Sequence, residues 1–198
     1  MISTFRSSLS DSKNLRLLYV HCVDNLNLPG DYSDLLRMSF IYCLSALDKL
    51  IHDIILHESI EIFVGRRPPT PKYLSETVTL ENYIELSNAD FPPKEIIFEN
   101  IVRRKLSYSS FMDPIKLAEG LSLVWSEPHK WQVIAKELSI DERQAKTELR
   151  NLVNRRNAIV HETDRDPGTN QKLPISPTES EEVESFISNL GEVIYRLI

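Results

Sequence analysis

The sequence has little of what β-sheets and membrane spans require. Its 198 residues include only five glycines, and few stretches alternate apolar and polar residues as a half-exposed strand does. It also contains no run of 18 apolar residues, the length that indicates a membrane-spanning helix. These absences favour an α-helical protein without a membrane span.

Cysteine is almost as scarce, with Cys22 and Cys43 the only two. Both lie in apolar helical patterns without metal-binding spacing, so we expect two small buried thiols in a reducing compartment. The N-terminal residues lack the apolar core of a secretion signal, and we therefore expect a cytoplasmic protein.

The zinc-protease motif HExxH, the CxxC pair, the GxSxG turn and the glycine-rich phosphate loop are missing too, so neither a metal nor another cofactor is expected.

Positive charge is also in deficit. The chain has 23 lysines and arginines against 29 acidic residues, a formal net charge of −6. A protein that coats nucleic acid with its whole surface is usually basic, so this class is disfavoured. A local basic site on an acidic protein remains compatible with the composition.

What the sequence does contain is helical periodicity. The long helix has a core stripe spaced at three and four residues, formed by Leu36, Phe40, Cys43, Leu47, Leu50 and Ile54. Capping patterns beginning at Ser139 and Ser176 predict the starts of the last two helices. Eight helices are predicted, at about 11–27, from 31 or 33 to 64, 80–87, from 94 through 102, 111–124 with Ser109 or Ser110 as cap, 127–138, 140–162 and from 177 onwards.

This order of helices predicts an all-α, up-and-down bundle. We expect one domain over residues 1–198, with 66–138 as an irregular and helical insertion between the early long helix and the penultimate one.

The most informative segment lies near the end of the penultimate helix. It reads Arg155-Arg156-Asn157-Ala158-Ile159-Val160-His161. At 100° per residue, Arg156 projects from an apolar stripe, whereas Asn157 and His161 stack on one flank. Two interpretations of Arg156 stay open: it pairs with a core carboxylate and fixes the helix register, or it binds a phosphate through its planar fork.

This segment, with Asp164 three residues further on, resembles the signature of HEPN-domain ribonucleases. A second segment resembles the first long core helix of the RiboL-PSP branch of that family: Ser45-Ala46-Leu47-Asp48-Lys49-Leu50-Ile51-His52-Asp53. The capped final helix also matches the layout of that branch. The two motif-bearing segments do not include residues 66–138, for which the resemblance implies no role.

The resemblance implies a helical bundle that forms a parallel homodimer, with the motifs of both protomers in one cleft. It implies endoribonuclease activity without a metal, by attack of the ribose 2′-hydroxyl on the adjacent phosphorus. Carried over by position, His161 transfers protons, Arg156 stabilises phosphate charge and Asn157 orients the site, with Arg155 in support. Proteins of this kind often act as toxins or antiviral defence effectors, and an antitoxin or other inhibitory partner is conceivable.

Other charged residues have a functional and a structural interpretation. Asp48 and His52 share a flank of the long helix, where Asp48 could pair with Arg156 and Asp53 is a weaker candidate. A solvated or structurally paired Asp–His is the alternative. The basic run at 103–105 could follow an RNA backbone, although a helix C-terminus that complements the dipole is favoured.

Two alternatives to catalysis follow from the same residues. Some HEPN domains only bind a nucleotide or a protein partner, and Arg156 and His161 would then hold a ligand without turnover. In a purely structural bundle, Arg156 would instead be a buried ion pair.

Overall fold

The computed structural model of the protein describes residues 1–88 and 91–198. These ranges contain nine α-helices, one short π-helical turn and no strand beyond an isolated bridge between Arg165 and Lys172. The all-α fold class is therefore confirmed. The helices are α1 (Ile2–Val20), α2 (Ser33–Phe63), α3 (Pro71–Leu74), α4 (Leu80–Ser87), α5 (Lys94–Leu106), α6 (Pro114–Leu121), α7 (Lys130–Glu137), α8 (Glu142–His161) and α9 (Pro177–Leu197), and the π-turn follows α1 at His21–Asn25.

The chain divides into two compact units. The first contains Met1–Leu50 and Trp131–Leu197, and the second contains Ile51–Lys130 with Ile198. Most of the predicted insertion at 66–138 falls in the second unit, and its residues 89 and 90 lie outside the described part of the chain. The expectation of a single domain stays a prediction. Over the two described ranges, no helix has the length and apolarity needed to cross a membrane.

The long helix α2 agrees with its prediction. All six residues of the predicted core stripe are buried, and the helix begins at Ser33. Asp31 lies just outside it and accepts a hydrogen bond from the Ser33 backbone N–H at 2.9 Å. The apolar period therefore located this helix correctly because its stripe is the core.

The first helix differs from its prediction. α1 begins at Ile2 rather than near residue 11, and its buried residues are Phe5, Ser12 and Arg16. The apolar spacing predicts a face formed by Leu15, Leu18, Cys22 and Leu26, but Leu18 and Leu26 are 46% and 52% exposed. The Ser12 hydroxyl donates to the Ser39 carbonyl at 2.8 Å, and the Arg16 guanidinium donates to Glu184 at 3.0 Å. Because the buried side of α1 carries these polar groups, a search for apolar periodicity selected the wrong face.

Two predicted helix caps were wrong and one is confirmed. Ser139 has φ +58° and does not cap α8; the Asp141 carboxylate accepts from the backbone N–H of Arg143 at 2.8 Å instead. Asp113 likewise caps α6, in place of the predicted Ser109 or Ser110. Ser176 accepts from the Glu179 N–H at 3.1 Å, so the start of α9 was predicted correctly.

Candidate functional site

The last two turns of α8 carry the whole predicted motif. Asn157 and His161 are exposed, whereas Arg155 and Arg156 are half-buried. His161 is the final residue of the helix, and its side chain forms no hydrogen bond or ion pair within residues 1–88 and 91–198. The imidazole therefore lies at the surface of the first unit, where a solvent-borne ligand can contact it.

Arg155 is occupied by a structural contact. Its Nη2 donates to the Asp164 carboxylate at 2.9 Å and to the Pro174 carbonyl at 2.9 Å. Asp164 is fully buried, and the Arg37 Nε of α2 donates to the same carboxylate oxygen at 2.7 Å. We call Arg37, Arg155 and Asp164 the Asp164 clamp. It joins the start of α2 to the end of α8 through one shared carboxylate.

The loop after His161 is folded back by the same clamp. Thr163 and Asp164 have φ of +55° and +53°, a left-handed conformation that aspartate tolerates better than most residues. The Asp164 N–H donates to the Ala158 carbonyl at 3.0 Å, and the Leu173 N–H donates to the Asp164 carbonyl at 2.8 Å. We call residues 162–176 the post-motif loop. These backbone contacts fix its path directly beside the motif.

A second set of charges holds this loop to α2. The Lys172 ammonium donates to Asp34 at 2.9 Å and to Asp31 at 3.2 Å, and Asp34 is the main cause of the raised pKa of Lys172. Hydrogen bonds from Ser33, followed by the one from Lys172, lower the pKa of Asp31 to about 2. Lys172 and Asp31 therefore stay charged at neutral pH, and the ion pairs of Lys172 hold the loop to the start of α2.

Arg156 is placed differently from its neighbour. Its Nη1 donates to the Asn157 side-chain oxygen at 3.2 Å, and its Nε, like that of Arg155, is buried without a hydrogen-bond partner. Over the part of the chain that the structure describes, no carboxylate pairs with this guanidinium. Of the two interpretations left open by the sequence, the core ion pair is made by Arg155 and not by Arg156. A half-buried, uncompensated guanidinium favours an anionic ligand.

The contact with Asn157 bears on the geometry of the motif. Arg156 and His161 are five residues apart, so their Cα–Cβ directions differ by about 140° around the helix. Asn157 projects between them, within about 40° of His161. Its hydrogen bond turns the Arg156 guanidinium toward the histidine side of α8. One phosphate could thus be reached by the arginine and the imidazole.

The supporting roles of Asp48, His52 and Asp53 stay predictions. Asp48 is half-buried in the first unit, but Arg156 bonds to Asn157 and not to Asp48. His52 and Asp53 belong to the second unit. There the His52 Nε2 lies 3.2 Å from the Leu106 carbonyl oxygen, and its ring centroid is 4.7 Å from that of Phe111.

Within the described ranges, no group of three or more His, Cys, Asp or Glu side chains is arranged to hold a metal ion.

The basic run at 103–105 is held by neighbouring side chains. Arg103 donates to Glu99 at 2.6 Å, Arg104 lies 3.5 Å from the Asn82 oxygen, and Lys105 forms an ion pair with Glu76. Arg104 and Lys105 also line a cavity of 890 Å³ within the second unit, which no sequence pattern had indicated. These pairings agree with the structural interpretation of the run.

Sequence reasoning missed Arg37. A charged residue at a core position of a long helix, one place after Leu36 of the apolar stripe, is a signal that a buried carboxylate lies opposite. The sequence indicated Asp164 only as part of the motif. Its ion pair with Arg155 is visible only in the structure.

The fold and the site define an all-α protein with a free arginine, an asparagine and an exposed histidine at the end of one helix. The RiboL-PSP-HEPN family model matches residues 7–198, and the chain belongs to this family. The resemblance drawn from the motif is therefore confirmed. Membership indicates a ribonuclease-like or nucleotide-binding module. No curated protein and no solved structure matches the chain.

Proposed function

We propose that the protein is a metal-independent endoribonuclease. The observation that carries this proposal is the Arg156 guanidinium, which has no carboxylate partner in the described structure and lies beside Asn157 and the exposed His161. In a neighbouring arginine, Arg155, the same charge is neutralised by Asp164. The chain therefore separates a structural arginine from one that is free to bind a phosphate.

The reaction follows from these groups. The ribose 2′-oxygen attacks the adjacent phosphorus, a 2′-O–P bond forms, and the bond to the 5′-oxygen of the next nucleotide breaks. His161 is the group that moves protons, which leave the 2′-hydroxyl and arrive at the departing 5′-oxygen. Negative charge grows on the phosphoryl oxygens, and Arg156 stabilises it, with Asn157 holding the guanidinium.

The direct test uses purified protein with end-labelled RNA and with DNA of the same sequence, each with and without excess EDTA. We expect RNA to be cut equally well in both conditions and DNA to stay intact, because only RNA carries the attacking hydroxyl. Cleavage that disappears with EDTA would contradict the metal-independent mechanism. Binding of RNA without cleavage would favour a non-catalytic nucleotide-binding module, which the net charge of −6 also favours.

We further propose that the active form is a parallel homodimer with one composite cleft, as the family resemblance implies. Val153 and Val160 lie about one turn on either side of Arg156, and Val160 is 41% exposed. Apolar side chains that flank the free guanidinium are suited to contact with a second copy of the chain.

This dimer can be tested with Val160→Asp. We expect the substitution to shift the protein from dimer to monomer in light scattering and to lower RNA cleavage in parallel, because a carboxylate would be buried in the contact. Val78→Asp is the matched control, since Val78 is an exposed valine of the second unit. An unchanged dimer in the Val160 variant would place the interface elsewhere.

The biological role that best fits such an activity is that of a toxin or antiviral defence effector. An unregulated ribonuclease would damage its own cell, so an antitoxin or inhibitory protein partner belongs to this proposal. Growth arrest on expression of the wild-type protein, relieved by co-expression of that partner, is the expected observation. Normal growth at high expression would contradict the toxin role.

A further inference from the structure

Six side chains form one straight ridge along α8. They are exposed and follow one another at spacings of four, three, four, three and four residues: Arg143, Thr147, Arg150, Asn154, Asn157 and His161. At 100° per residue they all project within about 40° of one line, which lies about 120° around α8 from its buried Leu149 and about 160° from its buried Ala145. The ridge is about 27 Å long, because 18 residues separate its ends. It leads from the start of α8 to the proposed catalytic histidine.

The chemistry of this ridge contrasts with that of the rest of the chain. The net charge is −6, yet all six ridge side chains are either cationic, neutral hydrogen-bonding groups or the histidine, and none is acidic. Arg143 and Arg150 form no side-chain hydrogen bond or ion pair within the described ranges. Lys146, one residue off the ridge line, pairs with Glu142 at 2.5 Å. The ridge is therefore locally basic, with two arginines that form no ion pair in the described structure, although the chain as a whole carries a net negative charge.

We propose that this ridge binds the sugar–phosphate backbone of a single RNA strand on one side of the cleaved bond. Arg150 and Arg143 each contact a phosphate, and Asn154 and Thr147 contact riboses or bases between them. The two arginines are seven residues apart, about 10 Å along the helix, as are Arg150 and Asn157. One narrow line of donors follows one strand, so the substrate is a single-stranded segment that extends several nucleotides from the site. This inference rests on the proposed function, because it assumes that RNA enters at His161.

The test is a binding titration with RNA whose 2′-oxygens are methylated and therefore cannot attack. Fluorescence anisotropy over a range of salt concentrations is measured for the wild type, Arg143→Gln, Arg150→Gln and the double variant. We expect each substitution to weaken binding of a long oligonucleotide several-fold and to reduce the salt-dependence slope by about 0.7, the value for one phosphate contact on a single strand. Arg143→Gln should leave a trinucleotide unaffected, because that ligand is too short to reach from His161 to Arg143.

Lys13→Gln is the matched control, since Lys13 is an exposed cation of the first unit that lies off α8. The proposal is overturned if the arginine variants match Lys13→Gln in affinity and salt slope. Cleavage of unmodified RNA by the same variants is measured in parallel with the binding titration. The two measurements separate RNA binding by the ridge from catalysis at His161. Cleavage with unaltered binding in the arginine variants rejects the ridge alone, and ridge-dependent binding without cleavage rejects the catalytic function alone.

Discussion

Replacing His161 with alanine is expected to abolish RNA cleavage and leave the fold unchanged. The imidazole is exposed and forms no hydrogen bond or ion pair in the described structure, so the free energy of unfolding should change by no more than about 0.5 kcal/mol. Loss of a general acid–base group typically lowers the rate by about 10²–10⁴-fold. Single-turnover cleavage of labelled RNA, with circular dichroism of the same sample, measures both quantities.

His129→Ala is the control for this result, because His129 is also an exposed histidine but lies in the second unit. It should cleave RNA at the wild-type rate. If growth arrest accompanies expression of the wild-type protein, the His161 variant should grow normally and the His129 variant should not. Equal activity of the two variants would remove His161 from the mechanism.

Asp164→Asn is expected to have the largest effect on stability. The carboxylate is fully buried and accepts hydrogen bonds from both Arg37 and Arg155. Asparagine retains the shape and the tolerance for a left-handed φ, but it removes the buried counter-ion of Arg37 and leaves only the exposed Asp34 carboxylate, at 3.5 Å, to pair with this charge. Breaking a buried pair in this way costs about 3–5 kcal/mol. The midpoint of urea denaturation should fall accordingly.

Asp11→Asn provides the comparison, since Asp11 is an exposed aspartate of the same unit. Its denaturation midpoint should stay close to that of the wild type. A similar midpoint for Asp164→Asn would mean that the clamp contributes little and that the post-motif loop is held by its backbone contacts and Lys172. Cleavage by the folded fraction of the Asp164 variant should also fall, because Arg155 and the loop beside His161 lose their anchor.

The elements predicted best were those whose apolar side is the core. α2 is the clearest case, because its stripe from Leu36 to Ile54 is both the sequence pattern and the buried surface. The Ser176 cap of α9 was also predictable, since it depends on contacts within three residues.

The errors arose where polar side chains are buried or where two caps compete. α1 buries Ser12 and Arg16 against partners that are 27 and 168 residues away in sequence. No local pattern identifies such partners. Ser139 was predicted as the cap of α8, but its backbone is left-handed and the Asp141 carboxylate caps the helix instead.

In the candidate site, too, the local features were predictable from the sequence and the long-range contacts were not. The helical phase placed Arg156, Asn157 and His161 on α8, but it could not tell which of two adjacent arginines is neutralised. That depends on Asp164, which follows a left-handed turn, and on Arg37, which is 127 residues away from it. The long-range clamp therefore assigns the structural role to Arg155, and within residues 1–88 and 91–198 no carboxylate pairs with Arg156.

Attack by the ribose 2′-hydroxyl is tested most directly with RNA that carries one 2′-deoxy sugar at a mapped cleavage position. In excess EDTA, the wild-type protein should cut this RNA at all the remaining mapped positions and yield 2′,3′-cyclic phosphate ends. It should leave the bond that follows the 2′-deoxy sugar intact. Cleavage that persists at the 2′-deoxy position would contradict the proposed chemistry at Arg156 and His161.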